Sequence, residues 1–443
     1  MIKNRRVSDK LEIINPDRNA KLAPIYLEII NKLNSKYLTT ENVYFQDLVN
    51  FKTNKISPRH SWFEYKQGYA EKLVAYLIEK NNPPKDSYVL DPFTGVGTTN
   101  LVSQQLGYKS IGYDINPVAI LASKVKTKHY PEALLRQIDK LIINFTPTRY
   151  TENVPVAKVI SSSFEEDVFK QLMYIKGFYE SIEDESIQNF LKLAYLSIIE
   201  RASIRIKDGN GIKLAKNKKK LDNVYIFFVD KVKQMLHDAK TNNFDQETIL
   251  INGSMTLKND FNKISDKNVG IVIFSPPYAN CFDYCEVYKL EFWMGGFVQN
   301  YSDFDKYRSI ALRSHVNSSF SHEFINKNSN VEIIADLIST HNVWNKNIPD
   351  MIRGYFDDME EILKNMSKVM IKGARAYIVV ANSGYRGVLV PTDLLLAEIA
   401  EKNGFQVNNI YIARKIRASS QQMSLLHDGY NKLMRESIIE ITI

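Results

Sequence analysis

The tetrapeptide Ser275-Pro276-Pro277-Tyr278 offers groups that could hold a planar molecule carrying an amino group. It follows the apolar run Val269–Phe274, which is typical of a buried parallel strand. Two successive prolines cannot continue a strand, because neither has an N–H and both fix φ. They force a turn at the strand's carboxyl end, where open α/β sheets bind ligands. A hydroxyl, the Pro276 carbonyl and an aromatic face therefore follow one another within four residues.

A second motif, Asp-Pro-Phe-Thr-Gly-Val-Gly-Thr-Thr at residues 91–99, lies between a predicted strand and a predicted helix. Gly95 and Gly97 let the backbone turn sharply and approach a ligand closely. Thr98 and Thr99 are expected to cap the helix. The motif predicts a ligand site at this strand end.

The chemistry of that ligand follows from two carboxylates. Asp114 ends the next predicted strand, 23 positions after Asp91, where an acid can accept from both hydroxyls of a ribose. Asn100 stands where a dinucleotide fingerprint has its third glycine, so a pyrophosphate site is not expected. Asp91 would repel phosphate but could receive an ammonium group. A nucleoside with a cationic amino-acid tail fits, and S-adenosylmethionine is one.

The elements around these motifs alternate between strand and helix. The order is strand 88–90, helix 98–106, strand 110–113 and helix 118–125, which predicts a doubly wound parallel sheet. Residues 131–245 break the rhythm with predicted helices at 132–144, 164–183, 187–207 and 221–240. Predicted strands resume at 248–251, 269–274, 374–380, 406–413 and 436–443. The expected fold class is α/β, a Rossmann-like doubly wound sheet with a largely helical insertion.

Four parts of the chain follow from this pattern. Residues 1–57 are an N-terminal segment and 58–130 the cofactor-binding part. Residues 131–245 are the helical insertion. Residues 246–443 are the catalytic part, with an irregular loop predicted at 295–330.

Composition narrows the class of protein. The 443 residues carry a net charge of +8, which is compatible with a polyanionic partner. Residues 201–220 hold eight basic residues and one acid. The sequence has no apolar run of 18 residues and no signal peptide, so we expect no membrane segment and a cytoplasmic protein. Two cysteines make neither a disulfide framework nor a metal site, and we expect no metal.

The pairing of the two motifs resembles the amino-methylating DNA methyltransferases of bacterial restriction–modification type. The resemblance covers residues of about 58–128 and 248–443. Ser275 resembles the first position of the N4-cytosine branch, whereas the N6-adenine branch usually has Asp or Asn there. The family implies S-adenosylmethionine, double-stranded DNA as partner, a companion restriction endonuclease, base flipping and direct methyl transfer to cytosine N4. It also implies a nucleoid-associated protein of a bacterium or archaeon, and it makes the insertion at 131–245 a candidate for DNA recognition. The alternatives are an N6-adenine enzyme, an RNA methyltransferase or a non-catalytic DNA-binding subunit.

The resemblance and the motifs together give the candidate site residues. The catalytic candidates are Ser275, Pro276, Pro277 and Tyr278. The cofactor-binding candidates are Phe63, Asp91, Pro92, Phe93, Thr94, Gly95, Gly97, Thr98, Thr99, Asp114 and Ser254. The DNA-binding candidates come from the basic stretch, the 295–330 loop and the end of a late strand; they are Arg205, Lys216, Lys218, Lys219, Arg308, Arg313, Arg414 and Arg417.

Two features depart from the family pattern. The large insertion precedes the strand at 248–251, whereas the family's recognition region follows the adenine-contacting strand or all catalytic motifs. After that strand the family often has an acid that contacts the adenine amino group. Here the chain offers Asn252-Gly253-Ser254. The recognition region and the adenine contact are therefore left open by the sequence.

Overall fold

A computed structural model describes residues 12–66, 68–209, 211–215, 217–219, 221–241, 244–320, 324, 329–416 and 430–443. Its α-helices are α1 Pro16–Lys36, α2 Val43–Leu48, α3 Glu71–Asn81, α4 Thr98–Gln105, α5 Pro117–Thr127, α6 Glu132–Ile143, α7 Lys158–Ser161, α8 Glu166–Glu180, α9 Glu185–Ala202, α10 Val224–Thr241, α11 Lys258–Phe261, α12 Tyr284–Val287, α13 Lys289–Met294, α14 Tyr301–Ile310, α15 Asn330–Ser339, α16 Ile348–Val369 and α17 Thr392–Lys402.

The strands carry the two motifs at their ends. They are β1 Thr39–Glu41, β2 Tyr88–Asp91, β3 Lys109–Asp114, β4 Arg205–Asp208, β5 Gly211–Leu214, β6 Thr248–Asn252, β7 Val269–Phe274, β8 Met370–Ala381, β9 Ser383–Tyr385, β10 Val388–Val390, β11 Gln406–Lys415 and β12 Arg435–Thr442.

The chain divides into two compact units. The first unit comprises Leu48–Phe274 and Asp283–Ala311. The second unit comprises the described residues up to Asp47 together with Ser275–Phe282 and Leu312–Ile443. The sequence predicted four consecutive parts, with boundaries after residues 57, 130 and 245. The two compact units do not test these boundaries, which stay a prediction.

In the first unit four parallel strands lie in the order β7-β2-β3-β6. The chain runs from β2 through α4 to β3 and on to β6, and it returns to β7 on the other side of β2. This reversal makes the point between β2 and β7 the switch point, where doubly wound sheets bind ligands. All six residues of β7 are buried, as expected for a strand covered on both faces. The predicted Rossmann-like α/β class is confirmed.

The first turn of α4 packs closely on β3 although it lacks a third glycine. Asn100 is fully buried, accepts a hydrogen bond from the Thr94 hydroxyl and donates to Ser110 Oγ at 3.1 Å. A Cβ placed on Gly112 of β3 would lie 2.8 Å from Asn100 Oδ1. Gly112 on the strand therefore leaves the room for close packing that a glycine on the helix would otherwise have provided. The Thr94 side chain also packs against Gly112.

The insertion between α5 and β6 is largely helical, as predicted, and contains α6 to α10. One expectation was wrong: the helix predicted for 187–207 ends at Ala202, and residues 205–214 form the antiparallel hairpin β4–β5. Gly209, with φ of 49°, provides a left-handed turn residue at the hairpin tip. Lys207 of β4 is buried and pairs with Glu291 at 2.5 Å, a contact distant in sequence that a local pattern does not reveal.

In the second unit the strands lie in the order β1-β11-β12-β8, and β12 is antiparallel to both neighbours. Side chains alternate between the faces of β12. Arg435 and Ser437 both donate to Asp393 Oδ2 of α17, at 2.7 and 2.9 Å. Arg435 is 3% exposed and Asp393 is fully buried, so this pair fixes β12 against α17.

The segment at 295–330 was expected to be irregular, and this was wrong for part of it. Residues Tyr301–Ile310 form α14, and Asn300 Oδ1 caps it by accepting from the Asp303 amide at 3.0 Å. Phe304 is the buried residue of this helix, so the apolar periodicity that predicts a helix is nearly absent.

The Arg435–Asp393 pair yields a stability prediction. Asp393→Asn leaves a buried guanidinium without its counter-charge, and we expect the free energy of unfolding in urea to fall by about 3–5 kcal/mol. The control is Asp266→Asn, which should leave the unfolding curve unchanged. Asp266 is exposed and pairs with the neighbouring Lys267. Equal curves for both variants would show that the buried pair does not hold β12.

Candidate active site

Asp91, the last residue of β2, is held by two hydroxyls and a backbone amide. Its Oδ2 accepts from Tyr69 OH at 2.8 Å and from Thr99 Oγ1 at 2.7 Å, and its Oδ1 accepts from the Phe93 amide at 2.9 Å. Asp91 is 1% exposed. Burial raises the pKa of Asp91 to about 6, against the lowering effect of these hydrogen bonds. The carboxylate is thus fixed in position at the switch point.

Tyr69 is a site residue that the sequence did not single out. Its hydroxyl lies 2.5 Å from Thr99 Oγ1 and 3.3 Å from the carbonyl of Ile273, so it joins the ends of β2 and β7. Its place just before α3, in the segment that resembles the family's N-terminal cofactor part, was the available signal. Thr99 was expected to cap α4; instead left-handed Gly97 is the N-cap, and the Thr99 hydroxyl serves Asp91.

The glycine turn brings Asp114 and the backbone together. Gly95 and Gly97 have φ of 51° and 79°, in the left-handed region that favours glycine. The Gly95 amide donates to Asp114 Oδ2 at 2.9 Å, and the Asn116 amide donates to Oδ1 at 2.8 Å. Burial raises the pKa of Asp114 to about 7, while these amides lower it. Each carboxylate oxygen keeps a lone pair that could accept from a ligand hydroxyl.

Aromatic rings lie beside this turn. Tyr65 stacks on Tyr288, with centroids 4.6 Å apart, and on Tyr284 at 5.9 Å. Phe63 is 3% exposed and its ring lies 6.4 Å from that of Tyr288. Phe93 is partly exposed and stacks on Phe274 at 5.9 Å. Phe93 therefore has more surface for a ligand than Phe63, and cofactor contact by either stays a prediction.

The remaining cofactor candidates differ in accessibility. Pro92 and Thr94 are buried, whereas Thr98 is partly exposed. Ser254 follows β6; its hydroxyl lies 2.8 Å from Thr256 Oγ1 and its amide donates to Asp260 Oδ2 at 3.1 Å. The roles proposed for these side chains stay predictions.

In the second unit the side chains of Ser275 and Tyr278 both make hydrogen bonds to neighbouring strands. Ser275 Oγ donates its proton to the Val379 carbonyl of β8 at 3.0 Å. Because a hydroxyl has a single proton, its oxygen is left as an acceptor. Tyr278 OH donates to Glu436 Oε1 of β12 at 2.6 Å. Pro277 and the Tyr278 side chain are partly exposed, and Pro276 is buried.

The backbone that follows the turn is held as well. The Ala279 carbonyl accepts from Ser383 Oγ and from Tyr385 OH, both at 2.7 Å. The Cys281 amide donates to the Ser314 carbonyl at 3.1 Å. Burial raises the pKa of the Cys281 thiol to about 11, which agrees with a packing role. The turn is therefore held on both sides of Tyr278.

In the first unit the basic stretch is partly engaged within the protein. Arg205 donates to Ser163 Oγ at 2.7 Å and to Ser162 Oγ at 2.9 Å. Lys218 donates to the Arg205 carbonyl at 2.6 Å, whereas Lys219 is exposed. Lys216 lies outside the described residues.

Three further arginines assigned to DNA have carboxylate partners. Arg308 donates to Asp283 at 3.2 Å, Arg313 to Asp358 at 2.7 Å, and Arg414 to Glu436. Arg417 lies outside the described residues. DNA contact at all eight positions stays a prediction.

Metal-binding clusters and membrane-spanning helices are both absent from the part of the chain that the structure describes. There, no three or more His, Cys, Asp or Glu side chains form a group that could hold a metal ion. No helix among those residues combines the length and apolar character needed to cross a bilayer.

The chain is similar to known DNA methyltransferases. Residues 9–124 match the model of a family described as DNA methylase, of the N6/N4 type. The chain is 27% identical to the type II methyltransferase M.BsoBI of Geobacillus stearothermophilus, over 88% of both chains. It is 25% identical to M.AvaI of Nostoc sp., over 86% of both chains. A TehB-like SAM-dependent methyltransferase from Corynebacterium glutamicum matches 83% of this chain and 86% of its own with 10% identity and a TM-score of 0.28.

The cofactor predicted from the sequence is S-adenosylmethionine, in keeping with the DNA methylase model that residues 9–124 match. The first unit fits this cofactor. Asp91 at the end of β2 could receive the ammonium group, and the glycine turn lets the backbone approach the ligand closely. Asp114 lies where the ribose would be bound. We expect Asp114 to accept from the ribose hydroxyls.

Asp114 therefore predicts a pH dependence of cofactor binding. Its pKa of about 7 means that it ionises as the pH rises through 7, and ionised carboxylates accept hydrogen bonds more strongly. Affinity for S-adenosylmethionine, measured by calorimetry, should rise up to about pH 7, level off above it and fall as the pH drops below it. Asp114→Asn should weaken binding by about 10- to 100-fold at pH 8 and flatten this part of the profile. Asp266→Asn is the control, and an unchanged profile in Asp114→Asn would contradict the assignment.

Proposed function

We propose, on the premise that this chain is a site-specific type II DNA methyltransferase of the N6/N4 family, that it methylates the exocyclic N4 of cytosine. The observation that carries the proposal is the hydrogen bond from Ser275 Oγ to the Val379 carbonyl. It commits the hydroxyl proton and leaves an acceptor for an N–H donor at the start of the turn. The Pro276 carbonyl, next in the chain, is a second acceptor, because carbonyl oxygens have two lone pairs.

The two acceptors address the difficulty of the reaction. The lone pair of an exocyclic amine is delocalised into the ring, which makes the nitrogen a poor nucleophile. Ser275 Oγ and the Pro276 carbonyl would each take one N–H and favour a pyramidal nitrogen with an available lone pair. The contribution is mainly positioning, which can lower a barrier by several kcal/mol.

When bound, S-adenosylmethionine supplies an electrophilic methyl group on a sulfonium. The nitrogen–carbon bond forms as the sulfur–carbon bond breaks, and the amine then loses one proton to water. The sulfonium charge disappears during transfer, so this chemistry requires no strong anion stabiliser. It also requires no covalent enzyme intermediate.

Tyr278 would stack on the target base. Base–aromatic stacking is worth about 1–3 kcal/mol. Because the target nitrogen lies inside the duplex stack, the base must flip out before it meets this ring. The partial exposure of the Tyr278 side chain supports this role.

The choice of cytosine rests on Ser275. The N6 of adenine and the N4 of cytosine are both amines, and the same acceptors would suit either. Serine at the first position of the tetrapeptide resembles the cytosine branch, and this favours N4. Double-stranded DNA is the proposed partner, and the type II character of the relatives supports a companion endonuclease.

The proposal is tested by the nucleoside that receives the methyl group. The protein is incubated with tritiated cofactor and mixed plasmid DNA, the DNA is digested to nucleosides, and the labelled nucleoside is identified. We expect N4-methyldeoxycytidine. Label in N6-methyldeoxyadenosine would overturn the cytosine assignment. When RNA is added to the same incubation, label in RNA alone would overturn DNA methylation in favour of an RNA substrate. No label from protein that binds cofactor would overturn it in favour of a non-catalytic subunit.

A further inference from the structure

We infer that Glu436 is a positioning residue, which holds the ring of Tyr278 in the place where it can stack on the target base. The inference rests on the proposed function, because it assumes that Tyr278 meets the flipped base. Nothing in the sequence motifs points to Glu436, which lies 158 positions from Tyr278 on the last strand.

The contact is short and charge-assisted, and its carboxylate is buried. Tyr278 OH donates to Glu436 Oε1 at 2.6 Å, within the range for an O–H donor to a carboxylate. Glu436 is 4% exposed. A buried carboxylate is costly without partners, so one is kept where its hydrogen bonds are satisfied. The bond fixes the phenol oxygen, which lies on the long axis of the ring, and this restricts the swing of the whole ring about the Cα–Cβ bond.

Arg414 satisfies the other oxygen of this carboxylate. Arg414 Nε donates to Glu436 Oε2, and the two residues are direct cross-strand partners on β11 and β12. Opposite charges placed directly across two strands stabilise their pairing. We therefore assign Arg414 to the support of Glu436, in place of the phosphate contact that the sequence suggested.

The neighbours of Glu436 fix its direction. Arg435 and Ser437 donate to the buried Asp393 of α17. Because side chains alternate along a strand, Glu436 must point to the opposite face, toward Tyr278. The strand cannot slip by one residue without exchanging these two sets of contacts.

Glu440 provides a matched control. It lies four residues further along β12 on the same face, is also 4% exposed, and accepts from Tyr411 OH at 2.7 Å. Glu440→Gln therefore makes the same chemical change in the same strand, away from the turn.

The experiment compares Glu436→Gln, Tyr278→Phe and the double variant in single-turnover methyl transfer to DNA, with saturating cofactor and DNA. Each single variant should slow transfer by about tenfold, because each weakens the same charge-assisted bond while the aromatic ring remains. The double variant should be no slower than Tyr278→Phe, since the bond can be lost only once. Cofactor affinity and the rate of Glu440→Gln should match the wild type.

The outcomes separate this inference from the proposed function. A wild-type rate in Glu436→Gln, or a double variant slowed by the product of the single effects, would overturn the positioning role while the wild-type protein still methylates DNA. Absence of transfer to DNA by the wild-type protein would instead overturn the proposed function. Equal losses of transfer rate in Glu436→Gln and Glu440→Gln would show that both changes act by destabilising β12. That result would overturn the inference.

Arg414 is tested by the salt dependence of DNA binding. Loss of a phosphate contact lowers the slope of log affinity against log salt by about one. We expect Arg414→Gln to keep the wild-type slope and to slow transfer. A slope reduced by about one, with an unchanged transfer rate, would return Arg414 to the DNA surface.

Discussion

The site depends on the place where β7 must end. Pro276 and Pro277 cannot donate to a neighbouring strand, so the fully buried strand stops at Phe274 and the chain turns immediately. A slip of one residue would move every side chain of a strand to the other face. The prolines therefore place a serine hydroxyl and a tyrosine ring directly after the strand. Hydrogen bonds to Val379 and Glu436 then hold these two groups in position.

Buried carboxylates anchor strand ends within each unit. In the first unit Asp91 collects Tyr69, Thr99 and the Phe93 amide at the end of β2. In the second unit Asp393 binds Arg435 on one face of β12, and Glu436 on the other face accepts from Tyr278 OH. Each carboxylate is costly to bury alone and favourable only with its partners in place, so each selects one arrangement of its strand end.

Much of the fold was predictable, because local patterns set it. The apolar run of β7 was predicted at its observed bounds, and β2, β3, α4 and α5 lie within a few residues of their predicted limits. The hairpin β4–β5 and the helix α14 were missed. The first has a buried lysine whose partner lies far along the chain, and the second has almost no apolar face. Tyr69 and Glu436 escaped for a related reason: their importance lies in contacts with residues distant in sequence, which no spacing rule reveals.

The central claim is that the hydroxyl of Ser275 holds the target amine, and the single-turnover rate of Ser275→Ala tests it most directly. With cofactor and DNA both saturating, this variant should transfer methyl at least about tenfold more slowly than the wild type. It should keep the wild-type affinity for S-adenosylmethionine, and Ser265→Ala, at an exposed serine before β7, should keep the wild-type rate. A Ser275→Ala protein that transfers methyl at the wild-type rate would contradict the account.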